Sequence, residues 1–235
     1  MNLVLFSSFY DSKKVRDFIR EKAKHTDPKI CIIPSFTNFQ GVQSSGDYYT
    51  LERMGFNPDN ISMFDVGYLF DETKIDSLKE NDVIILGGGN TFLFQWLLRR
   101  AGILDVLSEF AKRGGILIGE SAGSIMMSES IEIARFADED IVGSENTDGI
   151  GIIDFEMKPH FGGWLKRFPE FVHYSAESNQ DLYCLFDGGF IIVSDDDITP
   201  HGNFILLRKG EIVNFDLTNR EQERCVSSKR TIEVQ

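Results

Sequence analysis

The 235-residue chain is short of several things, and each shortage narrows what it can be. Its three cysteines, Cys31, Cys184 and Cys225, are far apart, odd in number and outside metal-ligand spacing, which excludes a disulfide framework or a cysteine metal site and leaves reduced thiols as the expectation. No apolar run approaches the roughly 20 residues of a membrane helix, so a membrane is not an expected partner. Positive charge is scarce: 24 Lys and Arg stand against 37 Asp and Glu, and the net charge of -13 opposes binding to phosphate backbones or anionic lipid. Nucleic acid is therefore not an expected partner either. The opening MNLVLFSSFYDSKK has no basic region ahead of its short apolar run, which argues against a secretory signal and for a cytoplasmic protein.

What the chain does have is an ordinary globular composition, 42% hydrophobic and 26% charged, organised around the stretch Ile116 to Ser124, ILIGESAGS. A short apolar strand running into G-x-S-x-G reads as a nucleophile elbow, a tight turn into a helix that leaves Ser121 exposed at the strand's carboxyl end. The helix that follows would point its first N–H groups at a developing oxyanion.

Short apolar runs alternate with helical patterns on either side of this stretch. Leu3 to Phe6, Ile30 to Ile33, Ile61 to Val66 and Val83 to Leu86 read as buried strands, and 11–24, 43–54, 73–79 and 103–113 as helices. That alternation predicts a mostly parallel sheet covered on both faces, a three-layer α/β/α fold. After Leu86 the glycines Gly87, Gly88 and Gly89 and then Asn90 lead into a helix, so a backbone N–H can face the crevice at the strand ends. They do not form a nucleotide cradle: Phe92 stands where G-x-G-x-x-G needs its last glycine, and no P-loop lysine follows. Beyond the elbow the alternation lapses. From Leu182 onward, apolar runs separated by Asp-Gly, His-Gly and Lys-Gly suggest strands and hairpins, a β-rich C-terminal third. With no linker or repeat, residues 1–217 read as one domain and 218–235 as a tail that the pattern does not place.

A serine needs a base, and the base an acid to hold it. Of the four histidines, His25 sits among charges near a helix end, His173 follows a charged helical segment, and His201 has the character of a turn residue. His160 is different, since Pro159 restricts the backbone before it and Phe161, Gly162 and Gly163 follow.

The elbow GESAGS, the loop GGGNTF, the KRG ahead of the elbow strand and the segment PHF, in this order, resemble the peptidase E family of serine dipeptidases. That family is related to the cyanophycinases and has a class I glutamine amidotransferase-like fold. The resemblance implies that Ser121 is the nucleophile, His160 the base and an acid shortly after the elbow helix the third member, for which Asp138 fits best and Asp140 is the alternative. It implies an oxyanion hole from the backbone N–H groups of Gly89 and Ala122, and a substrate contact from Asn90, whose other role would be to cap the helix after it. The substrate would be a short peptide, cleaved by acylation and deacylation without a metal or cofactor, and a homodimer is compatible with this reading.

Two departures bear on specificity. Family members that remove N-terminal aspartate carry a Thr-Arg-Glu-Gln-Arg stretch after the histidine, whereas this chain has SAESN, with Ser175 and Ala176 at the threonine and first arginine positions, and no Lys or Arg between Arg167 and Arg208. Beside the serine, Glu120 replaces the tryptophan of the aspartyl dipeptidases. Facing the pocket, Glu120 would be a substrate-binding residue that disfavours acidic substrates; otherwise it pairs with a structural group. The rival readings are a cyanophycinase-like or other amide hydrolase with the same triad, and a non-catalytic binding or sensor protein on the same fold.

Overall fold

The structure, a computed structural model, describes residues 1–36, 40–195 and 197–218. The tail beyond them, with Cys225, lies outside the described residues. Strands β1 (Asn2–Phe6), β2 (Ile30–Ile33), β3 (Ile61–Met63), β4 (Val83–Leu86) and β5 (Ile116–Glu120) form the parallel part of a seven-stranded sheet ordered β3-β2-β4-β5-β1-β8-β9. The antiparallel strands β8 (Phe190–Ser194) and β9 (Asp197–His201) complete it. Between the parallel strands run helices α1 (Lys13–Lys22), α2 (Gly46–Arg53), α3 (Thr91–Arg100) and α4 (Leu104–Lys112).

Side chains alternate across the sheet, as the period of two requires. Val4, Phe6, Ile116 and Ile118 pack with Val15, Ile19 and Leu51 of α1 and α2. Leu3, Leu5 and Leu117 pack on the other face with Phe94, Leu98 and Leu107 of α3 and α4. The expected three-layer arrangement with a mostly parallel sheet is present.

The C-terminal third is β-rich, but its connections differ from the expected hairpins. Strand β6 (Phe155–Lys158), directly ahead of the loop that carries His160, begins a second sheet of four, ordered β11-β10-β7-β6, with β7 (Asp181–Leu185), β10 (Phe204–Arg208) and β11 (Glu211–Asp216). Among the described residues, only the Lys-Gly turn closes a hairpin within this second sheet, between β10 and β11. The Asp187-Gly188 and His201-Gly202 connections carry the chain from one sheet to the other, because β7 pairs with β6 and β10 while β8 pairs with β1 and β9. The smaller sheet shares a core with the α3 and α4 side of the larger one through Phe155, Leu182 and Leu207. Helix α6 (Phe168–Glu177) packs on it; α5 (Ala122–Ile125), after the elbow, spans 4 residues, and 72–80 forms 3-10 turns rather than an α-helix. Cys31 and Cys184 are free and buried, and burial pushes the Cys31 thiol up to about 12.

Candidate active site

The elbow is built as its glycines demand. Ser121 has φ 48° and ψ -106°, an uncommon conformation for a residue with a side chain, and it joins β5 directly to α5. A Cβ on Gly119 would lie 2.5 Å from the Ser124 nitrogen, and one on Gly123 would lie 2.1 Å from the Leu86 carbonyl oxygen, so helix and sheet approach as closely as backbone allows. Ser124 ties the turn down by donating from Oγ to the Phe6 carbonyl at 2.9 Å.

His160 follows β6 in the left-handed region, with φ 57° and ψ 31°. Its Nε2 lies 3.0 Å from Ser121 Oγ. The acid on its other nitrogen is Asp187, whose Oδ1 is 2.5 Å from Nδ1. Asp138 does not meet His160: its Oδ2 accepts the Thr91 N–H at 2.8 Å, satisfying an open donor at the start of α3. Asp140 organises its own turn, accepting from the N–H groups of Val142 and Ser144. The expected register fails because the acidic loop after the elbow folds over the glycine loop, while the Asp-Gly-Gly crossing between the two sheets delivers Asp187 to the carboxyl end of β1.

Two serines after β1 complete the arrangement. Ser7, fully buried, accepts the His160 N–H at 2.8 Å and donates to Asp187 Oδ1 at 3.2 Å; Ser8 donates to the same oxygen at 3.0 Å. These bonds, led by that from His160, hold the Asp187 carboxyl down at about 2, against the cost of its partial burial. Lys158 is a further side chain that sequence reasoning missed. It is 2% exposed, donates to the Pro159 carbonyl at 3.1 Å and places its Nζ 4.6 Å from the Trp164 ring centroid, bracing the segment that carries His160. Burial lowers its pKa to about 8.

The glycine loop lies beside the serine. Gly89 has φ 144°, and a Cβ there would sit 2.1 Å from Ser35 Oγ, which itself donates to the Gly88 carbonyl at 2.5 Å. Ala122 is the first residue of α5, where a backbone N–H has no intrahelical acceptor. Asn90 caps α3: its Oδ1 accepts the Leu93 N–H at 2.9 Å and its Nδ2 donates to the Glu139 carbonyl at 2.8 Å, so both ends of the amide are engaged within the fold. Glu120 accepts the Phe9 N–H at 3.2 Å, and burial, with the neighbouring charge of Glu120, pushes the Asp47 carboxyl up to about 7. The remaining histidines lie elsewhere: His25 contacts Asp82, His173 pairs with Glu177, and His201 contacts Lys14.

Comparison with known proteins agrees with this architecture. The family model for peptidase family S51 matches residues 3–200. Peptidase E of Salmonella arizonae is 30% identical over 188 residues, which cover 76% of this chain and 74% of that protein. Among solved structures, one from Listeria monocytogenes EGD-e superposes with a TM-score of 0.69 at 24% identity, covering 85% of this chain and 97% of its own. A peptidase from an acI-B1 Actinobacterium superposes with a TM-score of 0.65 at 18% identity, covering 94% and 95%. On the extent of the family match and the likeness to peptidase E, the chain belongs to peptidase family S51.

Proposed function

We propose that this peptidase is of the serine type and cleaves short peptides, as a dipeptidase would, through Ser121, His160 and Asp187. The observation that carries the reading is the unbroken chain of contacts from Ser121 Oγ to His160 Nε2 and from His160 Nδ1 to Asp187. Ser121 Oγ attacks the peptide carbonyl as His160 Nε2 takes its proton. Asp187 holds the imidazole so that Nε2 faces the serine and stabilises the imidazolium that forms. The N–H groups of Gly89 and Ala122 are the assigned donors to the oxyanion. His160 then gives its proton to the leaving amine, and a water repeats the sequence on the acyl-enzyme. Asn90 supports the site from behind by fixing α3 to the 139 segment rather than by reaching the substrate.

Preference for N-terminal aspartate is not part of this reading. The carboxylate-binding arginines are replaced by SAESN, and Glu120 places negative charge next to the nucleophile. A panel of Xaa-Leu dipeptides tests the proposal. Hydrolysis by the wild-type protein that falls by several orders of magnitude in Ser121→Ala is expected; activity retained in that variant overturns it.

A further inference from the structure

His160 stands in a left-handed backbone conformation, which a residue with a side chain keeps only where its surroundings hold it there. The peptide unit that enters it, between Pro159 and His160, is gripped from both sides. Its N–H donates to Ser7 Oγ at 2.8 Å, and its carbonyl accepts from Lys158 Nζ at 3.1 Å. In a trans peptide these two groups point in opposite directions, so the peptide plane is pinned at both edges. Ser7 Oγ passes the bond on to Asp187 Oδ1 at 3.2 Å, and the same oxygen lies 2.5 Å from His160 Nδ1. Backbone and ring of His160 are thereby tied into one closed circuit of hydrogen bonds through Ser7 and Asp187, and the Lys158 ammonium joins that circuit from outside. Lys158 is 2% exposed, pairs across to the buried Cys184 of β7, and among the described residues takes part in no ion pair. Burying an ammonium in this way disfavours folding relative to an apolar side chain of the same length. What the lysine adds is a charged donor on one carbonyl, and a charged donor polarises the peptide so that its N–H binds Ser7 more strongly.

We propose that Lys158 is a positioning residue for the catalytic base: its ammonium, acting through the 159–160 peptide and Ser7, holds the His160 ring in line between Ser121 and Asp187. The inference rests on the reading of Ser121, His160 and Asp187 as the catalytic set. It carries a consequence for pH. Burial pushes the Lys158 ammonium down to about 8, helped by Arg167 just ahead of α6 and opposed by Asp138 of the acidic loop and Cys184 of β7. The charge on the clamp is therefore complete below about pH 7 and lost as pH rises through 8. His160 must be neutral to take the serine proton, which sets the acid side of the rate profile, so Lys158 sets the alkaline side.

The test compares the full-length wild-type protein with Lys158→Met and Lys158→Arg, using Ala-Leu as substrate from pH 6 to pH 10. In Lys158→Met kcat is expected to fall about 10- to 100-fold, the size of effect a misplaced catalytic group produces, with KM within about threefold. Lys158→Arg keeps a charged donor that does not titrate in this range, so it should recover most of the rate and lose the fall in kcat that wild-type protein shows near pH 8. Substrate and the other titratable groups are common to both proteins, so that difference belongs to residue 158. Combining Lys158→Met with Ser7→Ala should lower kcat by less than the product of the two separate losses, because both act on one peptide. A second readout needs no turnover: in protein labelled with nitrogen-15 histidine, the downfield His160 Nδ1–H signal of the bond to Asp187 should be sharp in wild-type protein and weakened in Lys158→Met. Lys158→Leu takes the place of Lys158→Met should the latter not fold. A lysine that only supports the fold would lower the unfolding midpoint of Lys158→Met and leave kcat, the alkaline fall and the Nδ1–H signal as in wild-type protein, and that result overturns the proposal. Hydrolysis abolished in Ser121→Ala but unchanged in Lys158→Met defeats the positioning role and leaves the serine mechanism. Hydrolysis retained in Ser121→Ala defeats the mechanism, and the Nδ1–H signal then shows separately whether Lys158 fixes the ring.

Discussion

At the scale of single residues, the acid that serves His160 is the point on which spacing and geometry part. Asp138 stood at the expected distance along the chain, yet its carboxylate faces the Thr91 N–H, whereas Asp187 faces His160. Asp187→Asn should therefore lower kcat/KM by about three to four orders of magnitude, since an amide favours the wrong imidazole tautomer. Asp138→Ala should leave kcat/KM within a few-fold and cost about 1 kcal/mol of stability for the lost helix-start acceptor, measured by urea denaturation. The two carboxyls with large shifts predict opposite effects of pH on stability. Asp187 is depressed to about 2, so its contribution is complete above about pH 4 and lost as pH falls through 2. Asp47 is raised to about 7 by burial and by the charge and hydrogen bond of Glu120, so its favourable contribution is complete below about pH 4 and lost as pH rises through 7. Chemical denaturation at pH 5 and pH 8 should show a larger loss across that interval in wild-type protein than in Asp47→Asn; equal losses contradict the assignment.

At the scale of elements, the elbow was legible because its constraint is local. A strand of Ile and Leu, two glycines and a serine between them can make few other turns, and the contacts of Gly119 and Gly123 show why no larger residue fits. Gly123→Ala should lower stability by about 1 to 3 kcal/mol through forced displacement of α5 from β4, and should abolish activity along with it; a thermal unfolding curve beside a rate measurement checks both. The Asp-Gly-Gly element was legible only in part. Asp187-Gly188 carries turn chemistry, and a turn it is, but nothing local distinguishes a hairpin from a crossing between sheets, because that choice depends on which strands β7 and β8 find as partners. Ser7 and Ser8 were hidden for the same reason: two small polar residues after a strand acquire a role only once His160 and Asp187 arrive from far along the chain. Lys158 sits in FEMKP, ahead of the His160 loop, where nothing in the local pattern announces that a lysine side chain is buried.

At the scale of the molecule, the site depends on both sheets at once. β5 and β1 of the larger sheet supply Ser121, Ser7 and Ser8; β6 of the smaller sheet leads into His160; and Asp187 sits on the crossing between them. The parallel half was readable from its alternation of apolar runs and helices, whereas the division of the C-terminal strands between two sheets was not, since it is decided by long-range pairing. One core runs through both sheets on the α3 and α4 side. Loss of activity and loss of far-ultraviolet circular dichroism in urea should therefore coincide in midpoint; activity lost well before the helical signal would show that the smaller sheet loosens separately.

The most direct test of the central claim is labelling of the folded protein with a serine-directed phosphonate, followed by peptide mass analysis. The account predicts a single adduct on Ser121, formed much more slowly in His160→Ala and Asp187→Asn but at an ordinary rate in Asp138→Ala. No adduct on Ser121, or one whose rate depends on Asp138 and not on Asp187, would contradict it.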